Sequence, residues 1–434
     1  MMRPYMEYQP TDISWLGQVP AHWVKNKFKF LLNEKTKVQN LALPCGSISF
    51  GRVVFKDSER LSEETKAAYQ EVLSGEFLIN PLNLNYDLKS LRTALADIDV
   101  IVSSGYIVLK SLDVVDKAYL RWLLYLFDVR HMKTLGAGIR QTISFKDIAD
   151  CAVYIPSDTE QQAIAIFLDR ETQRIDSLIE EKQTFIQLLK EKRQTLINHV
   201  VTKGLNPNVE MQDSGIEWIG QVPKHWDVVE LKRLIYSIDQ GWSPECLASP
   251  AKEESWGVLK AGAVNGGIYC QNENKELPEN LLPRPEIEVK TGDLIMSRAS
   301  GSRELIGSVA YVYETRMKLM LSDKLFRLNC KESVDPEFMA ITLGSFPLRC
   351  QIELAIGGAE GLANNLSQVN IKKLTIPKPP KSEQKLIVSH IKSVSSKIED
   401  LVVETNYSIA LLKERKISLI SAAVTGKIDV RETI

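Results

Sequence analysis

Two blocks of this 434-residue chain occur twice, and this internal repeat restricts its fold more than any other feature. Residues 159–203 align without a gap with residues 382–426, and 15 of these 45 positions are identical. Residues 13–23 align with residues 216–226, where 8 of 11 positions are identical. The segments between the blocks match only in outline. The repeat therefore predicts a duplicated frame that carries two diverged globular parts.

The longer block has the pattern of a long amphipathic helix in both copies. Apolar residues recur at steps of three and four, and Gly204 and Gly426 supply the stop signals at the ends. This spacing over roughly six turns or more predicts a coiled coil, with Thr159 and Ser382 as the N-caps. The alternative is two ordinary helices, each packed on its own domain.

The segment between the first helix and the second globular part, residues 204–215, is too short for a parallel helix pair. At most about 40 Å can be spanned by such a segment, whereas each helix is about 65 Å long. A parallel pair would need a return over the full helix length. The sequence therefore predicts an antiparallel pair with a pseudo-twofold axis across its middle and the globular domains at opposite ends.

These arguments together predict an α+β chain with two α/β domains separated by two long helices that form an antiparallel coiled coil. The predicted boundaries are a first domain at 1–158, a first helix at 159–203, a second domain at 204–381, a second helix at 382–426 and a tail at 427–434.

Composition limits the compartment and the class of partner. The chain has 54 Lys and Arg against 55 Asp and Glu, so it is not a bulk polycation that wraps nucleic acid by net charge alone. The six cysteines form no C-x-x-C motif, which indicates reduced thiols and no zinc site. No apolar run reaches the length of a membrane span and no signal peptide is recognisable, so we expect a cytoplasmic protein with no membrane contact.

Motifs for independent catalysis are missing from the sequence. Gly426 and Lys427 lack the upstream glycine and the following Ser or Thr of a P-loop, and no Asn-Pro-Pro-aromatic tetrad of an adenine methylase occurs. Glu288 and Lys290 could mimic the end of a nuclease motif, but no suitable Pro-Asp precedes them. His22 and His225 could serve metal binding or catalysis, yet a structural turn beside a buried tryptophan is the favoured interpretation. No metal is therefore expected.

Three motifs occur in the same order in both halves of the chain. They are Trp-Leu/Ile-Gly-Gln-Val-Pro-x-His-Trp at 15–23 and 218–226, Gly-Glu/Asp-hydrophobic strands at 75–79 and 292–296, and Ile-Pro…Glu-Gln leading into the long helices at 155–161 and 376–384. Ordered and duplicated in this way, they resemble the specificity subunit of Type I restriction–modification enzymes. The resemblance covers nearly the whole chain.

This resemblance implies two target-recognition domains joined by an antiparallel coiled coil, as the repeat predicts independently. It implies double-stranded DNA as a ligand, with each domain reading one half of an asymmetric bipartite site. It also implies two N6-adenine methyltransferase subunits and ATP-driven restriction subunits as partners. The chain itself would be non-catalytic and bind no cofactor, with S-adenosylmethionine, ATP and Mg on the partner subunits.

Base reading requires side chains that pair with base edges, and polar loop residues are the candidates. The DNA-binding candidates are Asn80, Asn83, Asn85, Lys133, Arg140 and Gln141 in the first domain, and Arg298, Ser300, Ser302, Arg303, Asn364, Asn365 and Gln368 in the second. Ordinary polar turns are the alternative for each residue. A lysine set could contact phosphate or form a solvated face: Lys25, Lys27, Lys29, Lys35 and Lys37.

The duplicated helices also predict two near-equivalent docking sites for a methyltransferase subunit. The candidate partner-binding residues are Lys190, Glu191 and Lys192 in the first helix and Lys413, Glu414 and Arg415 in the second. Two other functions stay open from the residues alone. One is a non-catalytic protein–protein scaffold with two end domains, and the other is a nuclease or methylase that acts alone.

Overall fold

The computed structural model of the chain describes residues 3–49, 51–58, 61–81, 91–135, 142–357 and 364–431. The chain divides into two compact units. Unit 1 consists of Met1–Gln183 and Asn406–Ile434, and unit 2 consists of Thr184–Thr405. Both long helices are therefore shared between the units, whereas the sequence pattern assigned each helix to a segment of its own.

Unit 1 contains twelve strands and three short helices in its described part. The strands are β1 (Tyr8–Pro10), β2 (Gln18–Pro20), β3 (Val24–Lys27), β4 (Leu32–Glu34), β5 (Gly46–Ser49), β6 (Arg52–Phe55), β7 (Gln70–Val72), β8 (Phe77–Ile79), β9 (Thr93–Leu95), β10 (Val100–Val102), β11 (Ile107–Ser111) and β12 (Ala152–Ile155). The helices are α1 (Glu63–Ala67), α2 (Lys117–Arg130) and α3 (Phe145–Ala149), with 3₁₀ turns at Phe28–Phe30 and Met132–Thr134.

The first long helix, α4 (Asp158–Lys203), leads from unit 1 into unit 2. The strands of unit 2 are β13 (Met211–Asp213), β14 (Gln221–Pro223), β15 (Asp227–Glu230), β16 (Ile235–Gln240), β17 (Gly257–Leu259), β18 (Asn274–Glu276), β19 (Leu294–Ser297), β20 (Val309–Tyr311), β21 (Leu319–Met320), β22 (Leu325–Cys330), β23 (Ile356–Gly357), β24 (Asn365–Leu366) and β25 (Thr375–Lys378). Its helices are α5 (Pro336–Leu343), α6 (Phe346–Ala355), α7 (Gln368–Lys372) and the long α8 (Lys381–Val424), with 3₁₀ turns at Leu231–Arg233, Ala261–Gly267, Pro285–Ile287 and Arg303–Leu305.

Each unit has a sheet with a fully buried strand at its centre. In unit 1 the six-stranded order is β4-β11-β8-β9-β6-β5, and in unit 2 the four-stranded order is β16-β22-β19-β20. Strands β8 and β19 are buried along their whole length. Each follows a glycine with positive φ, Gly75 at 87° and Gly292 at 96°, where a residue with Cβ would be strained. These strands are the pair that the Gly-Glu/Asp motif predicts.

The two long helices run antiparallel inside each unit. In unit 1, Ile164 near the start of α4 shares a core with Val424 at the end of α8. Further along α4, Asp176 pairs with Lys416 of α8 at 2.7 Å. Later residues of α4 therefore contact earlier residues of α8, as in an antiparallel pair. This contact pattern confirms the predicted packing of α4 against α8.

Helices α4 and α8 are also antiparallel within unit 2. Val200, near the end of α4, packs with Ile387 near the start of α8. Earlier on α4, Arg193 lies 3.9 Å from Glu399.

The helix starts differ from the predicted N-caps. Helix α4 begins at Asp158 and α8 begins at Lys381, so Thr159 and Ser382 lie inside the first turns rather than at the caps. Ser157 precedes α4, and its hydroxyl donates to the Glu160 carboxylate at 2.8 Å. The same carboxylate accepts a hydrogen bond from the Ser157 amide at 3.2 Å. At α4 the prediction was wrong because these two bonds from Ser157 to Glu160 fix the first turn one residue earlier in the chain.

Candidate nucleic-acid interface

The two candidate loops of unit 2 lie side by side. Ala299, just after β19, forms a β-bridge with Asn365, and the Leu366 amide donates to the Arg298 carbonyl at 2.9 Å. Strand β24 also pairs with β23, so the 364–366 segment is held from both sides. The structure thus brings the candidates after β19 together with those of the glycine-bearing loop, although the two groups lie more than 60 positions apart in the sequence.

Unit 1 repeats this arrangement. The Ile143 amide donates to the Pro81 carbonyl at 3.2 Å, which joins the segment after β8 to the segment that follows the first glycine-bearing loop. Asn80 is half-buried, and its amide donates to the Arg92 carbonyl at 2.8 Å. Asn83, Asn85, Arg140, Gln141 and the side chain of Lys133 lie outside the described residues.

Several candidate side chains of unit 2 also bond within the protein. The Arg298 guanidinium donates to the Asp323 carbonyl at 3.4 Å and lies 5.9 Å from the Phe326 ring centroid. The Arg303 guanidinium donates to the Glu353 carbonyl at 3.3 Å.

The remaining candidates of unit 2 occupy the same loops. Ser302 donates its amide to the Ser300 hydroxyl at 3.4 Å, and Gln368 opens α7 behind the Ser367 cap. Asn364 is half-buried, and its Oδ1 atom has no hydrogen-bond partner among the described residues. The loops therefore carry both internal bonds and unused acceptor capacity.

The lysine set of unit 1 bonds to protein oxygens rather than standing free. Lys25 pairs with Asp12, Lys27 and Lys29 with Asp150, Lys35 with Glu71 and Glu76, and Lys37 donates to the Ser104 carbonyl. The Lys35 cluster is largely buried, which gives it a structural role. The sequence analysis left phosphate contact and a solvated face open for this set, and the structure adds contacts with protein oxygens that neither interpretation predicted.

His22 and Trp23, from the repeated Pro-x-His-Trp motif, join both long helices to the body of unit 1. His22 Nε2 lies 2.9 Å from the buried carboxylate of Glu160 in the first turn of α4. Burial opposes ionisation of Glu160, but hydrogen bonds from His22 and Ser157 outweigh it and lower the pKa of that carboxyl. Trp23 is buried beside Gly426 at the end of α8, where an added Cβ would lie 3.1 Å from the indole.

The second copy of the motif does the same in unit 2. His225 Nε2 lies 2.9 Å from the Glu383 carboxylate in the first turn of α8, and Trp226 Nε1 donates to that carboxylate at 3.0 Å. Trp226 is buried beside Gly204, which follows α4. The histidines are thus helix-anchoring residues, and the structural interpretation of the motif is confirmed. We call these two contact sets the helix joints.

A glutamine in each long helix completes each helix joint. Gln161 Oε1 accepts from the Asp116 amide at 2.8 Å, and Gln384 Oε1 accepts from the Asp335 amide at 2.7 Å. Asp116 and Asp335 are the N-caps of α2 and α5. Sequence reasoning identified Glu-Gln as a repeated pair but not its function, which is to attach each long helix to the first helix after the sheet.

The candidate partner-binding residues lie on the solvent side of the long helices. Lys190, Glu191 and Lys192 are exposed on α4, and Lys413, Glu414 and Arg415 are exposed on α8. Leu188 and Leu411, at matching positions of the repeat, are 56% and 47% exposed. An exposed leucine beside alternating charges, present in each unit, provides an apolar anchor with a charged surround.

The described part of the chain contains neither a metal-binding cluster nor a membrane-spanning helix. Within the described residues, no cluster of three or more His, Cys, Asp or Glu side chains has the geometry to hold a metal ion. Neither long helix, nor any other helix in the described part of the chain, has the apolar length that a membrane span requires.

Comparison with known proteins agrees with this geometry. Residues 84–188 match the Type I restriction modification DNA specificity domain. The chain is 34% identical over 173 residues to the EcoEI Type I restriction enzyme specificity subunit of Escherichia coli, an alignment that covers 39% of this chain and 29% of that protein. Across curated relatives, the aligned share of the relative's own length runs from 29% to 53%.

Solved structures share the fold. One is the HsdS subunit of Thermoanaerobacter tengcongensis, with a TM-score of 0.53, 15% identity, and coverage of 94% of this chain and 98% of that one. Another comes from work on complex assembly and conformational transition of the type I R-M system, with a TM-score of 0.65, 14% identity and the same coverage. In its matched domain, its relatives and its fold, the chain is similar to the specificity subunits of Type I restriction–modification systems.

Proposed function

We propose that the chain is the DNA-sequence-reading subunit of a Type I restriction–modification complex. Each recognition domain reads one half of an asymmetric bipartite site in double-stranded DNA. The coiled coil sets the spacing between the half-sites and binds two methyltransferase subunits. Restriction subunits then bind to this complex. The chain works in the cytoplasm and does no chemistry itself, because S-adenosylmethionine, ATP and Mg act on the partner subunits.

The observation that carries this proposal is the duplicated pairing of two polar loops at the end of a buried central strand. In unit 1 the bond is Ile143 to Pro81, and in unit 2 it is Leu366 to Arg298. A pair of loops fixed to a rigid strand can present several donors and acceptors to base edges with little loss of conformational freedom. The frame is the same in both units while the loop residues differ, as two readers of different half-sites require.

The supporting argument for docking is the repeated exposed surface around Leu188 and Leu411. Because the helix surface occurs twice, two copies of one partner can bind it through the same contacts. Mass measurement at saturation should give two methyltransferase subunits per chain. One subunit per chain would contradict this part of the proposal.

The test of sequence reading uses the full chain in two steps. Methylome sequencing of a host with and without the gene identifies the modified sequence. A labelled duplex with that sequence is then competed by unlabelled duplexes in which one half-site, or both, is scrambled. Each scrambled half-site should weaken competition, whereas equal competition by random DNA would leave a protein-binding scaffold as the better function.

A further inference from the structure

A cleft of about 560 Å³ lies in unit 2, outside the paired loops described above. One wall is the 243–246 segment, another is the turn between β21 and β22, and the floor includes Val258 and Leu259 of β17. Three lysines line it: Lys260, Lys275 and Lys324. None of them is among the residues that the sequence pattern singles out.

The cleft adjoins the candidate loop after β19. The Arg298 amide donates to the Lys324 carbonyl at 2.8 Å, so the cleft's lysine and the first loop candidate are backbone partners. The Arg298 guanidinium also reaches the carbonyl of Asp323, a second lining residue. A DNA duplex that contacts the β19 loop therefore passes next to the cleft.

Three lysines and two carboxylates line the cleft, so its charge is positive on balance. Lys260 lies 3.6 Å from Glu273, whereas the Asp323 carboxylate accepts a hydrogen bond from the Ser243 hydroxyl and keeps its negative charge. Lys275 and Lys324 are exposed, and among the described residues neither has a carboxylate at ion-pair distance. Both can therefore neutralise an incoming anion.

A buried hydroxyl supplies a second, independent sign of a ligand. Ser322 lines the cleft and is only 5% exposed, and its Oγ atom has no hydrogen-bond partner among the described residues. A buried hydroxyl without a partner costs free energy, which a bound acceptor would recover.

The cleft walls are held in place before any ligand arrives. At Gly241 an added Cβ would lie 2.1 Å from the Leu321 carbonyl oxygen, so the two chain segments cross at backbone contact. The Trp242 amide donates to that carbonyl at 3.0 Å, and the Asp323 amide donates to the Ser243 hydroxyl at 3.1 Å. A site fixed in this way loses little entropy on binding.

We propose that this cleft binds a backbone phosphate of the DNA next to the half-site that unit 2 reads. Lys275 and Lys324 provide the charge and the Ser322 hydroxyl donates to a phosphate oxygen. This inference rests on the proposed function and adds a contact that positions the DNA without reading its sequence.

The test is a salt series with the full chain, using the identified target duplex and a random duplex. The double variant Lys275→Gln, Lys324→Gln should bind both duplexes more weakly and keep their affinity ratio. Loss of one phosphate contact should reduce the slope of log K against log salt by about 0.9. Ser322→Ala should weaken binding of both duplexes and leave that slope unchanged.

The matched control is Lys290→Gln. Lys290 is an exposed lysine of unit 2 that precedes β19, at the opposite end of that strand from Arg298. The Lys290→Gln variant should therefore keep the wild-type affinity and salt slope. A wild-type slope in the double variant would overturn the phosphate site, and so would a changed sequence preference, which would indicate a base contact. If the wild-type chain does not discriminate between the duplexes, the proposed function is overturned instead. The phosphate site is then still tested by comparing the salt slopes of wild type and double variant on random DNA.

Discussion

The two units of the molecule share their helix joints and differ in the domains that those joints carry. Each unit repeats the histidine–glutamate contact, the buried tryptophan beside a glycine at a helix end, and the glutamine bonded to an N-cap amide. The sheets differ, with six strands in unit 1 and four in unit 2, where a separate three-stranded sheet, β18-β17-β21, is added. Duplicated contacts hold the frame, and the divergence falls on the surfaces that we propose read DNA.

The cores show the same contrast in another form. In unit 1, the apolar residues of the long helices belong to one large core with those of the globular domain, such as Leu168 with Phe127. In unit 2 the long helices pack with Trp226 and Phe338 in a smaller cluster that is separate from the sheet's core. A change at a helix joint should therefore affect the sheet more strongly in unit 1.

The largest expected effect is at the two buried tryptophans. Trp23→Ala and Trp226→Ala should each lower the free energy of unfolding by about 3–5 kcal/mol, because each removes a buried aromatic side chain from a helix joint. Denaturant unfolding of each variant measures this. A loss under 1 kcal/mol at either site would show that the two helix joints are not equivalent.

Replacing the same tryptophans with phenylalanine sharpens the comparison. Trp226 Nε1 donates to Glu383, whereas Trp23 Nε1 has no partner among the described residues. Trp226→Phe should cost about 1.5–3 kcal/mol more than Trp23→Phe, because it removes a hydrogen bond to a charged carboxylate. Equal costs would contradict the assigned bond.

The glycines at the helix ends should show the next largest difference. Both have positive φ, 69° for Gly426 and 72° for Gly204, so alanine costs about 1–2 kcal/mol at either site. At Gly426 the new Cβ would also lie 2.3 Å from Pro20 Cδ, and such overpacking adds about 1–3 kcal/mol. In thermal unfolding, the melting temperature of Gly426→Ala should therefore be lower than that of Gly204→Ala. The reverse order would contradict the geometry of the helix joints.

A pH series tests the buried end of the helix joint in unit 1. Glu160→Gln should destabilise by about 1–3 kcal/mol at neutral pH, because it removes a charge-assisted contact with His22. The folded-state pKa of Glu160 is lowered, so its contribution is complete above the unfolded value of about 4.3 and is lost as the pH falls through the folded value.

The stability curves of wild type and Glu160→Gln should therefore converge in acid. Glu383→Gln is the matched control, since the Glu383 side chain is 23% exposed against 2% for Glu160, and its effect should be smaller. A constant difference between wild type and Glu160→Gln down to pH 3 would exclude the ionised carboxylate as the source.

The smallest expected effect concerns the ion pairs between the helices. Lys416 lies 2.7 Å from Asp176, whereas Arg193 lies 3.9 Å from Glu399, and both pairs are partly exposed. Lys416→Met should cost up to about 1 kcal/mol, and Arg193→Met less, because exposed pairs are weak and screened. High salt should reduce the difference between the two variants.

The repeat predicted the long helices, the buried strands that follow Gly75 and Gly292, and the structural role of the His-Trp motif. These features depend on local pattern, which is visible in a sequence. The pairing of Arg298 with Leu366 and the sharing of each helix between units were not predictable, because they depend on contacts between distant residues. The cleft of unit 2 was not predictable either, because Lys260, Lys275 and Lys324 come together only when separate segments of the chain pack.

The most direct test of two readers on one frame is the replacement of residues 227–370 by the same region of a relative, followed by methylome sequencing of the host. The account predicts that one half-site of the modified sequence changes, while the other half-site and the number of bases between them stay the same. A change in both half-sites, or in the spacing alone, would contradict it.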